Sequence, residues 1–129
     1  MNHILRDALL VGTGGFFGAI GRFYVTACMQ GRSKGFPLGT LTVNVAGSLA
    51  LGFLASLLAQ RALGGAHWRL VLGVGFLGAF TTFSTFSYES VRLWADGRWG
   101  ALAANVGLNV GACLAAAALG VFAARWVTT

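Results

Sequence analysis

Charge is what this chain has least of. Only 9% of its 129 residues are Asp, Glu, Lys or Arg, against about 25% in soluble domains. That scarcity excludes most soluble enzymes and nearly all disordered chains. Proline occurs once, and the 20 glycines follow no collagen period in a chain too apolar for a flexible linker. Cysteine occurs twice. Cys28 and Cys113 sit in apolar segments without CxxC spacing, so they read as small core hydrophobes rather than a redox pair or a disulfide framework. The net charge of +6 comes from basic residues scattered singly between apolar runs. No basic stripe exists, which excludes nucleic-acid binding. The apolar runs also lack an interior Asp, Glu or His: Asp7, Glu89 and Asp96 fall at span ends, and His3 and His67 outside. A proton-coupled carrier usually needs such a group inside the membrane. No phosphate loop, metal-ligand cluster or Ser/His/Asp set is present, so neither an enzyme nor ATP-driven transport is expected.

What is there is apolar length. Uncharged runs cover residues 8–21, 38–60, 70–88 and 99–124, each near the ~20 residues that cross a ~30 Å hydrocarbon core as a helix. They do not alternate with period two, which excludes barrel strands. The expected architecture is an all-α integral membrane protein. One four-helix transmembrane domain fills residues 1–129, with spans at about 5–28, 38–60, 69–94 and 99–125. The connections QGRSKGF, RALGGAH and ADGR are short, so neighbouring helices run antiparallel, and Pro37 suits the start of the second helix. Trp68, Trp94, Trp99 and Trp126 fall at span ends, where amphipathic aromatics settle. The first span is long, opens on Asp7 and lacks a small-x-small exit, so a cleaved signal is not expected.

The basic residues give little orientation. Arg6, Arg61, Arg69 and Arg125 lie on one side; Arg32, Lys34, Arg92 and Arg98 lie on the other, with Arg22 reaching toward it. A positive-inside bias normally sets topology. Its near absence predicts insertion both ways and assembly as an antiparallel, dual-topology homodimer; a weak bias giving a single orientation is the other reading.

Polar residues recur with helical spacing. Thr40, Asn44 and Ser48 share one face of the second span, and Asn105 and Asn109, followed by Cys113, one face of the fourth. Such stripes serve either as interhelical hydrogen bonds or as the lining of a narrow polar path. Amides and hydroxyls in register favour the path. Gly14-x-x-x-Gly18 and Gly107-x-x-x-Gly111 read as seams for close packing. In the third span, glycine and β-branched residues cluster over 78–82 and predict a helix break. In an antiparallel dimer that break meets its own copy near the midplane. Two carbonyls from each copy would then form a cage for a hard cation such as Na⁺; a merely kinked crossing is the alternative. Phe83 and Phe86 share a face beyond the break, with Ser84 and Thr85 between them. Ring edges carry positive potential and can stabilise an anion, though aromatic pairs also make ordinary core. Arg22 either snorkels to the surface or draws anions to a pore mouth.

Three pieces of sequence carry a resemblance: Gly18-x-x-Gly21-Arg22, then Gly39-Thr40-Leu-x-Val-Asn44-x-x-Gly47-Ser48, then Gly78-x-x-Thr81-Thr82-Phe83-Ser84-Thr85-Phe86-Ser87-x-Glu89. With them the chain resembles the small fluoride channels, the Fluc or CrcB family, across all four spans. The resemblance implies passive, fluoride-specific export across a bacterial inner membrane, relieving fluoride toxicity. It implies two antiparallel pores per dimer and a central structural Na⁺ held by the carbonyls of Gly78 and Thr81. Phe83 and Phe86 match the pore rings, Asn44 the pore donor, Ser84 and Thr85 the hydroxyls between the rings, Thr40 the polar track, and Arg22 the basic residue at the entrance. Ser48, Asn105 and Asn109 extend the expected pore. The two asparagines stand where relatives often carry Tyr and Ser. The alternative function is a small multidrug-type proton-coupled antiporter, for which Asp7 would have to serve as the carboxylate.

Overall fold

The structure, a computed structural model, describes residues 2–32, 34–60 and 65–128. Ser33 of the first connection and residues 61–64 of the second, including Arg61 of the charge count, lie outside the described residues. Every described element is helical: α1 (His3–Gln30), α2 (Leu38–Ala59), α3 (residues 66–80), α4 (Phe83–Ala95) and α5 (Trp99–Thr128). Because α3 and α4 share one span, four stretches are long and apolar enough to cross a membrane: His3–Gln30, Leu38–Ala59, Ala66–Ala95 and Trp99–Thr128. Lipid offers no partners to a peptide group, so helices that bond internally are the available solution for such a sequence.

Local chemistry sets the ends. Asn2 caps α1 by accepting from the Ile4 N–H at 3.2 Å. Pro37 precedes α2, where its missing N–H costs nothing. Gly97, at φ +68°, turns the chain between α4 and α5, a conformation that an L side chain resists. The Arg98 guanidinium donates to the Gly35 carbonyl at 2.8 Å and ties that turn to the first connection. All four tryptophans are exposed at helix ends, as interfacial anchors should be.

Two helix pairs build the bundle, α2 with α5 and α1 with α3, and both depend on glycine. A Cβ on Gly52 would strike the Ala117 carbonyl, and one on Gly120 the Leu49 carbonyl. On the other side, Gly18 lies against the Phe76 carbonyl and Gly75 against the Val11 carbonyl. The Gly14-x-x-x-Gly18 seam is thus used within the chain. Gly107 and Gly111 are not: nothing lies within 4 Å of a Cβ at either. The fourth-span close contact falls instead at Gly120, because α5 turns its Asn105, Asn109, Ala116, Gly120 and Ala124 face inward. Cys28 also departs from its expected core position, since α1 leaves it exposed, whereas Cys113 is half-buried.

The third span departs furthest from a regular helix. After one turn at Ala66–Trp68 it widens into a π-helix over Arg69–Leu77 before closing on Gly78–Phe80. The Gly78 N–H reaches back five residues to the Gly73 carbonyl. Such wide turns are rare and short in most proteins. Here the wide stretch presses its backbone against the glycines of α1.

The α1–α3 contact yields a paired prediction. Gly18→Ala should destabilise the fold by about 1–3 kcal/mol, since its methyl meets a carbonyl that cannot yield. Gly12, on the same helix, has open space around it, so Gly12→Ala should be neutral or stabilise by up to ~1 kcal/mol. Thermal unfolding in detergent reads both.

Candidate functional site at the helix break

The chain leaves helical geometry at two residues, Thr81 (φ −90°, ψ 157°) and Thr82 (φ −151°, ψ 114°). This lies within the expected 78–82 window and splits the span into α3 and α4. An opened helix must find other partners for its backbone. The Thr82 N–H donates to Asn44 Oδ1 at 2.8 Å, and Asn44 Nδ2 donates to the Thr82 carbonyl at 3.2 Å. The half-buried Asn44 amide thereby acts as a substitute peptide group facing the break. The Thr82 hydroxyl accepts from the Thr85 N–H at 3.2 Å and so caps α4.

These diversions have a consequence for the carbonyls. In an unbroken helix the Thr82 N–H would serve the Gly78 carbonyl and the Thr85 N–H the Thr81 carbonyl. Both hydrogens are spent elsewhere. Gly78 and Thr81 therefore present oxygens stripped of their helical donors, a neutral, hard donor set of the kind that suits Na⁺. Gly78 is exposed on the outside of the chain, where a second copy could reach it. Between them, the Ala79 carbonyl accepts from Arg22 Nε at 3.0 Å. Arg22 thus reaches across from α1 to the C-terminal end of α3, where a helix favours a cation.

From the break a chain of amides runs through the bundle. Asn44 Nδ2 donates to Asn109 Oδ1 at 3.0 Å. Asn109 Nδ2 donates to the Asn105 carbonyl and to Asn105 Oδ1 at 3.0 and 2.9 Å. Asn105 Nδ2 donates to Ser90 Oγ at 3.0 Å, and that hydroxyl donates to the Phe86 carbonyl at 2.8 Å. Asn105 and Asn109 are buried. The α2 stripe divides: Thr40 turns toward α4, Asn44 meets the break, and half-buried Ser48 has no hydrogen-bond partner among the described residues.

Phe83 and Phe86 lie with ring centroids 5.4 Å apart, tilted by 56°. Phe83 is 78% exposed and Phe86 only 9%, so the pair begins outside the chain and ends inside it. Ser84 is exposed and Thr85 half-buried beside them. A cavity of about 500 Å³ opens from the connections at Gly35 and Arg98 down to Thr82 and Thr85 at the break. Arg22 and Arg92 line it with Glu89.

Glu89 corrects the reading of the third span. The uncharged run stops at Tyr88, which placed Glu89 at a span end. The helix continues to Ala95, and Glu89 sits half-buried inside it. Its Oε1 accepts from the Thr40 hydroxyl at 2.9 Å, while Oε2 is buried without a hydrogen-bond partner among the described residues. Ser90 and Arg92 were likewise unmarked as site residues; only their place one or two turns beyond the Phe pair could have suggested them.

These features define a class: a multi-pass membrane protein whose broken helix, neutral amides and basic vestibule together suit a small ion. The comparisons agree. A family model described as "CrcB-like protein, Camphor Resistance (CrcB)" matches residues 9–121. A protein of Sulfurovum sp. (strain NBC37-1), named "Fluoride-specific ion channel FluC", is 48% identical over 113 residues, covering 87% of this chain and 88% of its own. One of the same name from Alteromonas mediterranea (strain DSM 17117 / CIP 110805 / LMG 28347 / Deep ecotype) is 49% identical over 107 residues, 82% of this chain and 84% of its own. Another, from Saccharophagus degradans (strain 2-40 / ATCC 43961 / DSM 17024), is 43% identical over 115 residues, 86% of each. The chain belongs to the CrcB family of fluoride-specific ion channels, a family of channels and not of enzymes. Nothing supports the antiporter alternative, and half-buried Asp7 lies near the start of α1, paired with Arg6 at 3.0 Å.

The cap at the break can be tested directly. Thr82→Val keeps the β-branched shape and loses the hydroxyl, which should cost about 0.5–2 kcal/mol and speed amide exchange at Thr85. Thr82→Ser should restore both.

Proposed function

We propose that this chain forms a passive, fluoride-selective channel that lets fluoride leave the cell, working as an antiparallel dual-topology homodimer with two pores in a bacterial inner membrane. The observation that carries the reading is the break at Thr81–Thr82 with its exposed surroundings. Gly78, Phe83 and Ser84 all lie open on the outside of the single chain. Stripped carbonyls and hydroxyls cannot face lipid. A second copy, inverted so that the same segments meet near the midplane, covers them.

The path begins in the vestibule, where Arg22 and Arg92 supply positive charge. Fluoride surrenders its hydration only if other donors take over, and conduction requires that they release it again. Neutral donors meet both demands. Thr40, Thr85 and Ser84 offer hydroxyls, and Asn44 offers its amide. Ser48 continues that face of α2, and Asn105 and Asn109 stand behind Asn44. The edges of Phe83 and Phe86 present the positive rim of the ring quadrupole to the ion. The narrow bore excludes larger halides. Phe83 is so exposed in one chain that it belongs to a path shared with the partner.

The carbonyls of Gly78 and Thr81 in both copies suit a structural Na⁺ on the dimer axis. When bound, it supplies a fixed positive charge to oxygens that the break has left without donors.

Liposome efflux read with a fluoride electrode tests the function; absence of fluoride flux from reconstituted protein would sink it. Phe83→Ile and Phe86→Ile should each slow efflux about tenfold, the rate equivalent of the upper worth of an aromatic contact, with the dimer intact. Unchanged flux in both removes the ring role. Orientation has its own test. Arg32→Cys, on a background lacking Cys28 and Cys113, should be labelled by an impermeant thiol reagent to about half from each side of the membrane, as a nearly unbiased charge distribution implies. Labelling from one side alone would end the antiparallel arrangement.

A further inference from the structure

We infer that Asn105 and Asn109 are positioning residues, which hold the Asn44 amide in the one orientation that closes the helix break, and that they do not themselves contact the permeating ion. The inference rests on the reading of Asn44 as a donor of the pathway.

An asparagine amide can be turned end for end with little change in shape, so its orientation must be set by its neighbours. This relay is anchored at both ends by backbone groups whose polarity is permanent. At one end the Asn105 carbonyl can only accept, and it takes a hydrogen from Asn109 Nδ2 at 3.0 Å. That leaves Asn109 Oδ1 facing Asn44, and Asn44 must answer with Nδ2, as it does at 3.0 Å. Asn44 Oδ1 is then turned to the other anchor, the Thr82 N–H, at 2.8 Å. Reversing either amide would set donor against donor or acceptor against acceptor at a buried or half-buried position.

Donor counting gives the same division of labour. The two hydrogens of Asn109 Nδ2 meet two oxygens of Asn105. Asn105 donates onward to Ser90 Oγ, which holds the Phe86 carbonyl. The relay therefore grips the second half of the third span at two places, the backbone of Thr82 at the cap of α4 and the Ser90 hydroxyl two turns on, with the Phe pair between them. Neither Asn105 (0% exposed) nor Asn109 (6%) lines the vestibule, whereas half-buried Thr85 and buried Thr40 both do.

The test reads the break without needing flux. In detergent-solubilised full-length dimer, amide exchange is followed at the Thr82 backbone N–H, with the side-chain NH₂ signal of Asn44 in ¹⁵N-asparagine-labelled protein. Asn109→Leu should speed Thr82 exchange about tenfold and shift the Asn44 signal, since it removes one of the three hydrogen bonds that hold the amide and leaves only the two to Thr82 itself. Asn109→Ser, too short to reach Asn44 and gentler on packing, should do the same should the leucine variant fail to fold. Cys113→Ala, one turn along the same face, should leave both signals unchanged and so separates positioning from general loosening of α5. Unchanged Thr82 exchange in a folded Asn109→Ser variant, with fluoride efflux slowed, would overturn the inference and make Asn109 an ion contact. A failure of the channel reading would show as no efflux from the unaltered protein, a separate readout from exchange at Thr82.

Discussion

A peptide group in hydrocarbon must find its partner inside the protein. The break at Thr81–Thr82 is where this chain departs from the easy solution, and most of the site follows from that departure. Opening the helix frees an N–H and several carbonyls. Asn44 closes on Thr82 from both sides, the Thr82 hydroxyl closes on Thr85, and Arg22 closes on Ala79. Each repair comes from a different helix or turn, so the break also holds α1, α2 and α4 in register. The carbonyls of Gly78 and Thr81 lose their helical donors in the process, Gly78 on the exposed outside of the chain and Thr81 half-buried beside it.

The chemistry around the break is neutral where it is deepest and charged only toward the vestibule. That gradient suits an ion that must be attracted, stripped of water and then released. An arginine at the constriction would bind an anion too firmly to let it go, whereas amides and hydroxyls bind it only as well as water does. Arg22 shows how the charge is kept from the path. Its Nε is engaged with the Ala79 carbonyl, so it serves the negative end of α3 while its guanidinium still borders the vestibule. Both the surface-seeking and the anion-drawing readings of Arg22 had overlooked a backbone partner 57 residues away.

Much of the fold was legible because the membrane simplifies the code. Length and apolarity gave the four spans, Trp and Pro37 gave their ends, and the Gly78–Thr82 composition gave the break. What stayed hidden has physical causes. The end of the third span was expected near 94 and falls at Ala95, yet Glu89 was set at a span end because the charge-free run stops at Tyr88; such a run is a poor guide where a polar cavity lies alongside the helix. The π-helix over Arg69–Leu77 has no local signature, since it arises from how closely two backbones can approach across glycine. Gly107 and Gly111 have the same spacing as Gly14 and Gly18 but lie on a face that this chain leaves open; spacing names a face and cannot say what meets it. Within the site, the helical spacing marked Asn44, Asn105 and Asn109 as polar stripes, and the three are hydrogen-bonded in one chain. Their partners were not, because a hydrogen bond between α2 and α5 spans 65 residues of sequence.

The hidden part also explains how two asparagines can serve on the α5 stripe. A relay that ends on an obligate acceptor and an obligate donor needs only that each link carry the right polarity. An amide supplies both an acceptor and a donor on one rigid plane, so two asparagines one turn apart on α5 can pass orientation from the Asn105 carbonyl to Asn44 without water or charge. The cost is that every link is buried or half-buried and directional, and such networks lose more than one bond when a single member is removed. The same property that keeps the break in one conformation therefore makes the fourth span a support on which the break depends.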